Sequence, residues 1–411
     1  MNRDFRHYWS AEVSSTFGST FTTTAIGALG VTAFAATPAE LGVVSAAAMV
    51  PACVFGVFAG AVGDRLRRPR RALMGCDAFG ALFLLVAAAG LLTGAATIWW
   101  LAALCFLLGS MATVVETVYF THLNTLVSGD DLVAGRVKLQ TGEYGARTAG
   151  KALAGVVIAA FGGAAALLLD ALSYLTSLVL LKRITAEDRG PEREPGPRTT
   201  LLRDIRDGFT ELRHNSFLRA YSAFTGIRSL AVGALTTITA PFLLVDLAVP
   251  LSLYGVLFAV SGLAGLLGSL VAGRLAKRME LGALANFGSI GLVLSGLVLP
   301  AAGGPLPLAA AVAVLGLALP VAFGAIANVG LSGAITQLVP ETVLGRAVAT
   351  LRTIGTTAQV VGALGGGLLG SAIGLRPSAW LCAVVSILGC LFVLRIPRPA
   401  PAEERVPVGA A

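Results

Sequence analysis

The chain has 411 residues, of which 56% are hydrophobic and only 13% are charged, and its formal net charge is +8. A soluble domain carries roughly 25% charged residues, so the composition excludes an ordinary water-soluble protein. The mean hydropathy of +0.82 indicates that lipid surrounds most of this chain.

Twelve apolar runs follow one another along the chain. A helix that crosses the bilayer needs roughly 20 apolar residues, and each run has about that length. The 50 glycines are spread through the runs, as suits membrane helices that pack closely. The predicted spans are about 10–35, 40–63, 72–94, 97–121, 137–161, 164–182, 217–245, 252–275, 281–301, 305–333, 344–372 and 377–395.

Basic residues fall almost entirely on one face of this arrangement. Of the 30 Lys and Arg residues, 25 lie in the terminal segments or in alternate loops, whereas Arg376 alone lies in a loop of the opposite face. This is the positive-inside pattern, so we predict a multi-pass protein of the cell membrane with both termini in the cytoplasm. Because topology explains the charge, we expect anionic membrane lipids as partners and no nucleic acid.

Cysteine and histidine give no sign of a metal or catalytic centre. The five cysteines lie in apolar runs without a CxxC spacing, and the three histidines show no metal-ligand spacing. A phosphate-binding loop with its lysine is also missing. We therefore expect no enzyme activity, no metal and no cofactor.

One long polar segment divides the twelve runs into six and six. It is rich in charge and proline, and Leu201, Ile205, Phe209 and Leu212 have helical spacing, which predicts an amphipathic helix along the membrane surface. The predicted organisation is a six-helix bundle at 1–184, a cytoplasmic linker at 185–215, a second six-helix bundle at 216–396 and a tail at 397–411.

The two halves resemble each other in sequence. Gly150 and Gly155 match Gly362 and Gly367 at an offset of 212 residues, and Gly135-Arg136 matches Gly345-Arg346 at 210. Two related six-helix halves around a cavity near the midplane form a known transporter architecture. We therefore predict an all-α membrane protein with twelve transmembrane helices in two pseudo-symmetric six-helix bundles.

The loop after the second run carries the most specific motif. Its residues Gly60 to Arg71 read GAVGDRLRRPRR, which resembles the G-x-x-x-D-R-x-x-R-R loop of the major facilitator superfamily. The segments Asp170-Ala-Leu-Ser173-Tyr174 and Gln337 to Arg346 further resemble its drug-exporter branch, which includes macrolide-efflux proteins and the enterobactin exporter. The resemblance implies proton-gradient-driven antiport of a drug, antibiotic or other small natural product out of the cytoplasm. We expect the protein to be a monomer. One departure is Lys151, where these exporters often carry proline.

Ionisable residues inside the runs are the candidates for proton coupling or for a substrate cavity. Each costs about 2.5–3.5 kcal/mol to insert, so such residues mark sites or buried pairs. We hypothesise that Glu116 or Glu143 exchanges the proton. Glu143 and Arg147 could equally form a structural ion pair, since they are four residues apart. Glu12 is expected to be an interfacial charge, and Asp170 to cap or pack its helix. The full candidate set is Glu116, Glu143, Arg147, Lys151, Arg228 and Arg352.

Gly60, Asp64, Arg65 and Arg68 of the motif loop are gating candidates. The Asp64 carboxylate could meet helix N-termini of the second half and latch one conformation. The alternative is that the arginines fix topology and bind anionic lipid.

Two other functions stay open at this point. One is a dedicated siderophore or metabolite exporter. The other is a transport-inactive membrane scaffold or sensor, against which the intact motif loop argues.

Overall fold

The computed structural model describes residues 3–63, 68–127, 131–188, 216–338 and 341–393. All regular structure in these ranges is helical. The first four helices are α1 (Arg3–Thr32), α2 (Pro38–Gly63), α3 (Pro69–Leu92) and α4 (Ile98–Leu126). The last six are α7 (Ser216–Pro241), α8 (Leu251–Leu275), α9 (Leu281–Ser295), α10 (Leu306–Leu338), α11 (Glu341–Ile373) and α12 (Leu375–Val393).

Between them lies one helical segment, Asp131–Lys182, which is broken at Gly162. Gly162 has φ 80° and ψ 171°, values that a residue with a side chain rarely adopts. The break separates two arms, which we number α5 (131–161) and α6 (163–182). The two predicted spans 137–161 and 164–182 lie on either side of it.

Helix α7 ends differently from the prediction. Its apolar run continues to 245, but Pro241 is followed by one turn of π-helix, Phe242–Asp246. Proline has no amide hydrogen to donate, which favours a change of helical register at this point. Helix α9 also stops early, at Ser295, whereas its predicted span extends to 301.

Nine segments within the described residues are long and apolar enough to cross a membrane. The segments outside this set are α1, which is rich in Ser and Thr, α9, which has 15 residues, and the charged part of α5 before Leu153. The prediction of an all-helical, multi-pass membrane protein is confirmed. The full count of twelve spans in two bundles remains a prediction, as do the domain boundaries, and the linker helix and the tail lie outside the described residues.

The same helix pairs pack together in both halves of the chain. Helix α1 packs on α5, α2 on α4, and α3 on α6, as α7 packs on α11, α8 on α10, and α9 on α12. The packing therefore follows the predicted repeat.

The two halves meet most closely at two glycine pairs. A Cβ atom added to Gly155 of α5 would lie only 2.4 Å from the Cα of Gly255 in α8. A Cβ added to Gly367 of α11 would lie 2.9 Å from the Cα of Gly42 in α2. These contacts are related by the repeat, since Gly155 matches Gly367 and both Gly255 and Gly42 are the fifth residue of their helices. Small residues let the backbones touch without intervening side chains.

Both glycine pairs lie at the same end of the helices, where α1 ends and α2 and α8 begin. A Cβ added to Gly27 of α1 would lie 3.2 Å from the Tyr254 hydroxyl of α8 and 3.3 Å from the Ala240 Cβ of α7. The amide of Ala39 donates a hydrogen bond of 3.0 Å to the Ser371 hydroxyl at this end. We call it the glycine end, and the opposite end, where α1 begins and α6 finishes, the linker end.

The chain after α6 is fixed against the linker end. Asp188 accepts hydrogen bonds from the amides of Arg70 and Arg71, at 2.9 and 3.2 Å, and so caps the first turn of α3. Asp4 accepts hydrogen bonds from the amides of Thr185 and Ala186, at 3.2 and 2.8 Å. The first residues of the predicted linker are thereby held beside the beginning of α1 and α3.

Candidate functional site

An ion pair joins the two halves on the side of the linker end. The Arg352 guanidinium of α11 donates to the Glu116 carboxylate of α4, across 236 positions of sequence. Glu116 lies ten residues before the end of α4, and Arg352 lies eleven residues after the start of α11. The side chains are 55% and 62% exposed, so neither is enclosed by protein. Two of the predicted cavity residues are therefore in direct contact.

Arg352 also forms part of a cavity wall within the second half. The cavity has a volume of about 360 Å³ and lies between α7, α10 and α11. Hydroxyl groups and one amide provide most of its polar surface, and aliphatic side chains provide the rest. The lining residues are Tyr221, Thr225, Ser229, Ser332, Ile335, Val348, Leu351, Arg352, Gly355, Thr356 and Gln359.

The other predicted cations lie outside the cavity wall. Arg228 precedes the lining residue Ser229, is half-buried, and interacts electrostatically with Tyr221. The Lys151 ammonium lies 5.7 Å from the ring centre of Phe258 in α8, so it contacts the facing half. Arg147 is exposed.

Glu143 is held in another environment. Its carboxylate accepts a hydrogen bond of 2.7 Å from the Tyr119 hydroxyl, and the Tyr8 hydroxyl donates to the Tyr119 carbonyl at 3.1 Å. Among the described residues, Glu143 forms no ion pair with Arg147, so the structure does not contain the pair that their spacing allowed. The fixed partners of Glu143 make Glu116 the better placed of the two acidic candidates for contact with the second half.

Three acidic residues are buried inside the first half. Asp170 of α6 accepts hydrogen bonds from Thr22 at 2.5 Å and from Ser173 at 3.2 Å, so it packs α6 against α1 as expected. Glu12 of α1 is buried rather than interfacial, because α1 is surrounded by its neighbours at this depth. Asp77 of α3 is buried, and its Oδ2 accepts no hydrogen bond from the described part of the chain.

Sequence reasoning missed Asp77, although a signal was present. Asp77 is an acidic residue inside the predicted span 72–94, and such residues are costly in lipid. The same rule that selected Glu116 would have selected Asp77.

The motif loop is only partly within the described residues. Gly60 lies in the last turn of α2, and Arg68 is an exposed residue immediately before α3. Asp64 and Arg65 lie outside the described ranges, so the gating role of the loop stays a prediction.

Comparison with known proteins places this fold among transporters. The family profile described as "transmembrane secretion effector" matches residues 1–408. The chain belongs to this family. The profile and the solved structures described below are of membrane transporters. The chain is therefore a membrane transporter of the major facilitator type and not an enzyme. No curated protein sequence matches it.

Solved structures of this fold are similar over nearly the whole chain. A mutant of the nucleoside transporter NupG has 15% identity and a TM-score of 0.79, covering 96% of this chain and 100% of that one. A bacterial homologue of the lysosomal transporter Spinster, inward-facing and occupied, has 13% identity and a TM-score of 0.74, with 96% and 97% covered. A bacterial ferroportin homologue, inward-facing, has 14% identity and a TM-score of 0.71, with 96% and 98% covered. At these identities the comparison shows only that the folds are similar.

Proposed function

We propose that this transporter is a secondary active, proton-coupled exporter that moves a drug, antibiotic or other small natural product by alternating access. The observation that carries the proposal is the ion pair between Glu116 and Arg352, which links the two halves beside a cavity. An exposed acidic group in contact with the wall of a substrate-sized cavity can connect proton binding to substrate binding. The outward direction of transport rests on the family.

Two contacts of different kinds between the halves, one of packed backbone and one an ion pair, support alternating access. At the glycine end, backbone packs directly on backbone at two repeat-related positions. Toward the linker end, the exposed ion pair of Glu116 and Arg352 bridges α4 and α11. Exposed ion pairs contribute about 0–1 kcal/mol, so this bridge can open at small cost. The arrangement fits a state that is closed at the glycine end and accessible from the linker end.

Proton exchange at Glu116 provides a simple coupling step. The ionised carboxylate makes a charge-assisted hydrogen bond with Arg352, and protonation removes the charge that holds the two groups together. Opening of the bridge would allow the halves to rock about the cavity, as in other two-domain transporters. We further propose twelve spans, a cell-membrane location, cytoplasmic termini and a latch role for Asp64.

The Glu116→Gln variant tests the proton step. Glutamine keeps the shape and the hydrogen-bonding capacity of the side chain but cannot exchange a proton, so substrate-driven proton efflux should fall to background. The measurement is acridine-orange fluorescence in everted, respiring membrane vesicles to which a macrolide, a catecholate siderophore or an aromatic carboxylate is added. Glu280→Gln, an exposed position before α9 whose side chain makes no cap hydrogen bond, is the matched control.

The same assay separates the other functions. A response to the siderophore alone would indicate a dedicated exporter, and no response to any compound in the wild type would favour a scaffold or sensor. Wild-type proton efflux in Glu116→Gln would remove Glu116 from the coupling mechanism.

A further inference from the structure

The charge on the cavity wall has one sign. Among its lining residues, Arg352 is the one with a formal charge, and none is acidic. Around it lie hydroxyl groups of Tyr221, Thr225 and Ser229 and the amide of Gln359, all of which can donate hydrogen bonds to an anion. Such a wall fits a small molecule that carries a negative group.

Arg352 already binds a carboxylate in this structure. The carboxylate belongs to Glu116, which comes from the facing half and is not part of the cavity wall. A guanidinium group presents its donors in a planar fork that matches a carboxylate. Because both side chains are more than half exposed, protein does not enclose the pair, and another carboxylate can reach Arg352 and replace that of Glu116.

Three further cations of the predicted set lack acidic partners among the described residues. Arg147, Lys151 and Arg228 form no ion pair with any of the residues in the described ranges. Arg228 is adjacent to the lining residue Ser229, and Lys151 faces α8. Two acidic residues of the first half are bound elsewhere, since Glu143 binds Tyr119 and Asp170 binds Thr22.

We infer that the transported compounds are small organic anions, and that their carboxylate binds Arg352 in the cavity by displacing the carboxylate of Glu116. This inference rests on the proposed function, which leaves the substrate class open. Displacement leaves Glu116 in contact with water and without its cation, so binding of the substrate and release of Glu116 become one event. Arg228 adds positive charge beside the same wall and favours the same class of ligand.

Direct binding tests the inference without any gradient or transport. The purified protein in lipid nanodiscs is heated with benzoate, phenylacetate or 2-naphthoate, and separately with the three corresponding carboxamides. The affinity follows from the rise of Tm with concentration. The acids should raise the Tm and the amides should not.

Two variants should change the affinity for the acids in opposite directions. Arg352→Gln should weaken binding by about tenfold or more, the effect of losing a hydrogen bond to a charged group. Glu116→Gln should tighten binding severalfold, because the competing carboxylate is gone. The matched control is Arg278→Gln, an exposed position after α8, whose affinity should equal that of the wild type.

The inference is overturned if acids and amides bind alike, if no acid binds, or if Glu116→Gln weakens acid binding as much as Arg352→Gln does. Because the Glu116→Gln result is a gain of affinity, a folding defect cannot imitate it. If the wild-type protein binds the acids but shows no proton-coupled transport, the proposed function is refuted and the inferred binding site still holds.

Discussion

Reversing the charge of Arg352 is expected to stop transport while leaving the protein folded. In Arg352→Glu, a carboxylate would face the carboxylate of Glu116, so the bridge between α4 and α11 becomes repulsive. Two unit charges about 4 Å apart interact by about 1 kcal/mol in water, and this pair is exposed, so the fold should survive. Transport should fall at least about a hundredfold, because both the bridge and the anion-binding group are lost.

The exchange variant Glu116→Arg with Arg352→Glu separates these two losses. It restores an ion pair between the halves but places a carboxylate on the cavity wall. We expect the Tm to return to the wild-type value and the transport of carboxylates to stay absent, as measured in everted vesicles. If transport recovered fully, the charge on the cavity wall would be irrelevant and the pair would serve only as a bridge.

Enlarging one glycine at the close crossing is expected to have an effect of similar size. In Gly155→Val, the new Cβ would lie 2.4 Å from the Gly255 Cα, a separation that real Cβ atoms do not show, and the obstacle is backbone. The halves could then no longer close at the glycine end. We expect transport to fall by at least about tenfold in proteoliposomes, with the protein still monodisperse in detergent.

A valine elsewhere on the same helix controls for the general cost of the substitution. Gly145 also lies in α5, but apart from the backbone of its own turns nothing lies within 4 Å of a Cβ built there, so Gly145→Val changes the same helix without a clash. It should transport at close to the wild-type rate. Equal losses in the two variants would show that valine harms α5 itself and that the close crossing has no special role.

Local patterns in the sequence were enough to predict most helices. The predicted span 252–275 is matched by α8, Leu251–Leu275, and the span 40–63 by α2, Pro38–Gly63. These helices end at loops rich in proline, glycine or charge, which apolar periodicity detects. The prediction was wrong for the end of α9, because 296–301 is still apolar although the chain there forms turns.

Contacts between side chains were harder to predict. Glu143 and Arg147 have ideal spacing on one helix, yet Glu143 binds Tyr119, which α4 brings from 24 positions away. Glu116 and Arg352 were each selected because a charge in a membrane span is costly, but nothing local indicates that they pair across 236 positions. Glu12 is near the chain start and was expected at the interface, whereas packing of α1 against its neighbours buries it.

The sequence repeat predicted that Gly155 and Gly367 are equivalent positions, and the structure shows them in equivalent contacts. Gly155 and Gly367 were matched by an offset of 212 residues, and both are now found in close crossings with the other half. Their partners Gly255 and Gly42 were not selected, since a single glycine in a glycine-rich membrane span carries little information.

Alternating access is tested most directly by joining the halves at the glycine end. The amide of Ala39 and the hydroxyl of Ser371 are 3.0 Å apart, so cysteines at these two positions should lie close enough for a disulfide. The double variant Ala39→Cys with Ser371→Cys should lose proton-coupled transport on oxidation and recover it on reduction, whereas each single variant should be insensitive. Full transport by the oxidised, cross-linked protein would contradict the account, because the glycine end would then not need to open.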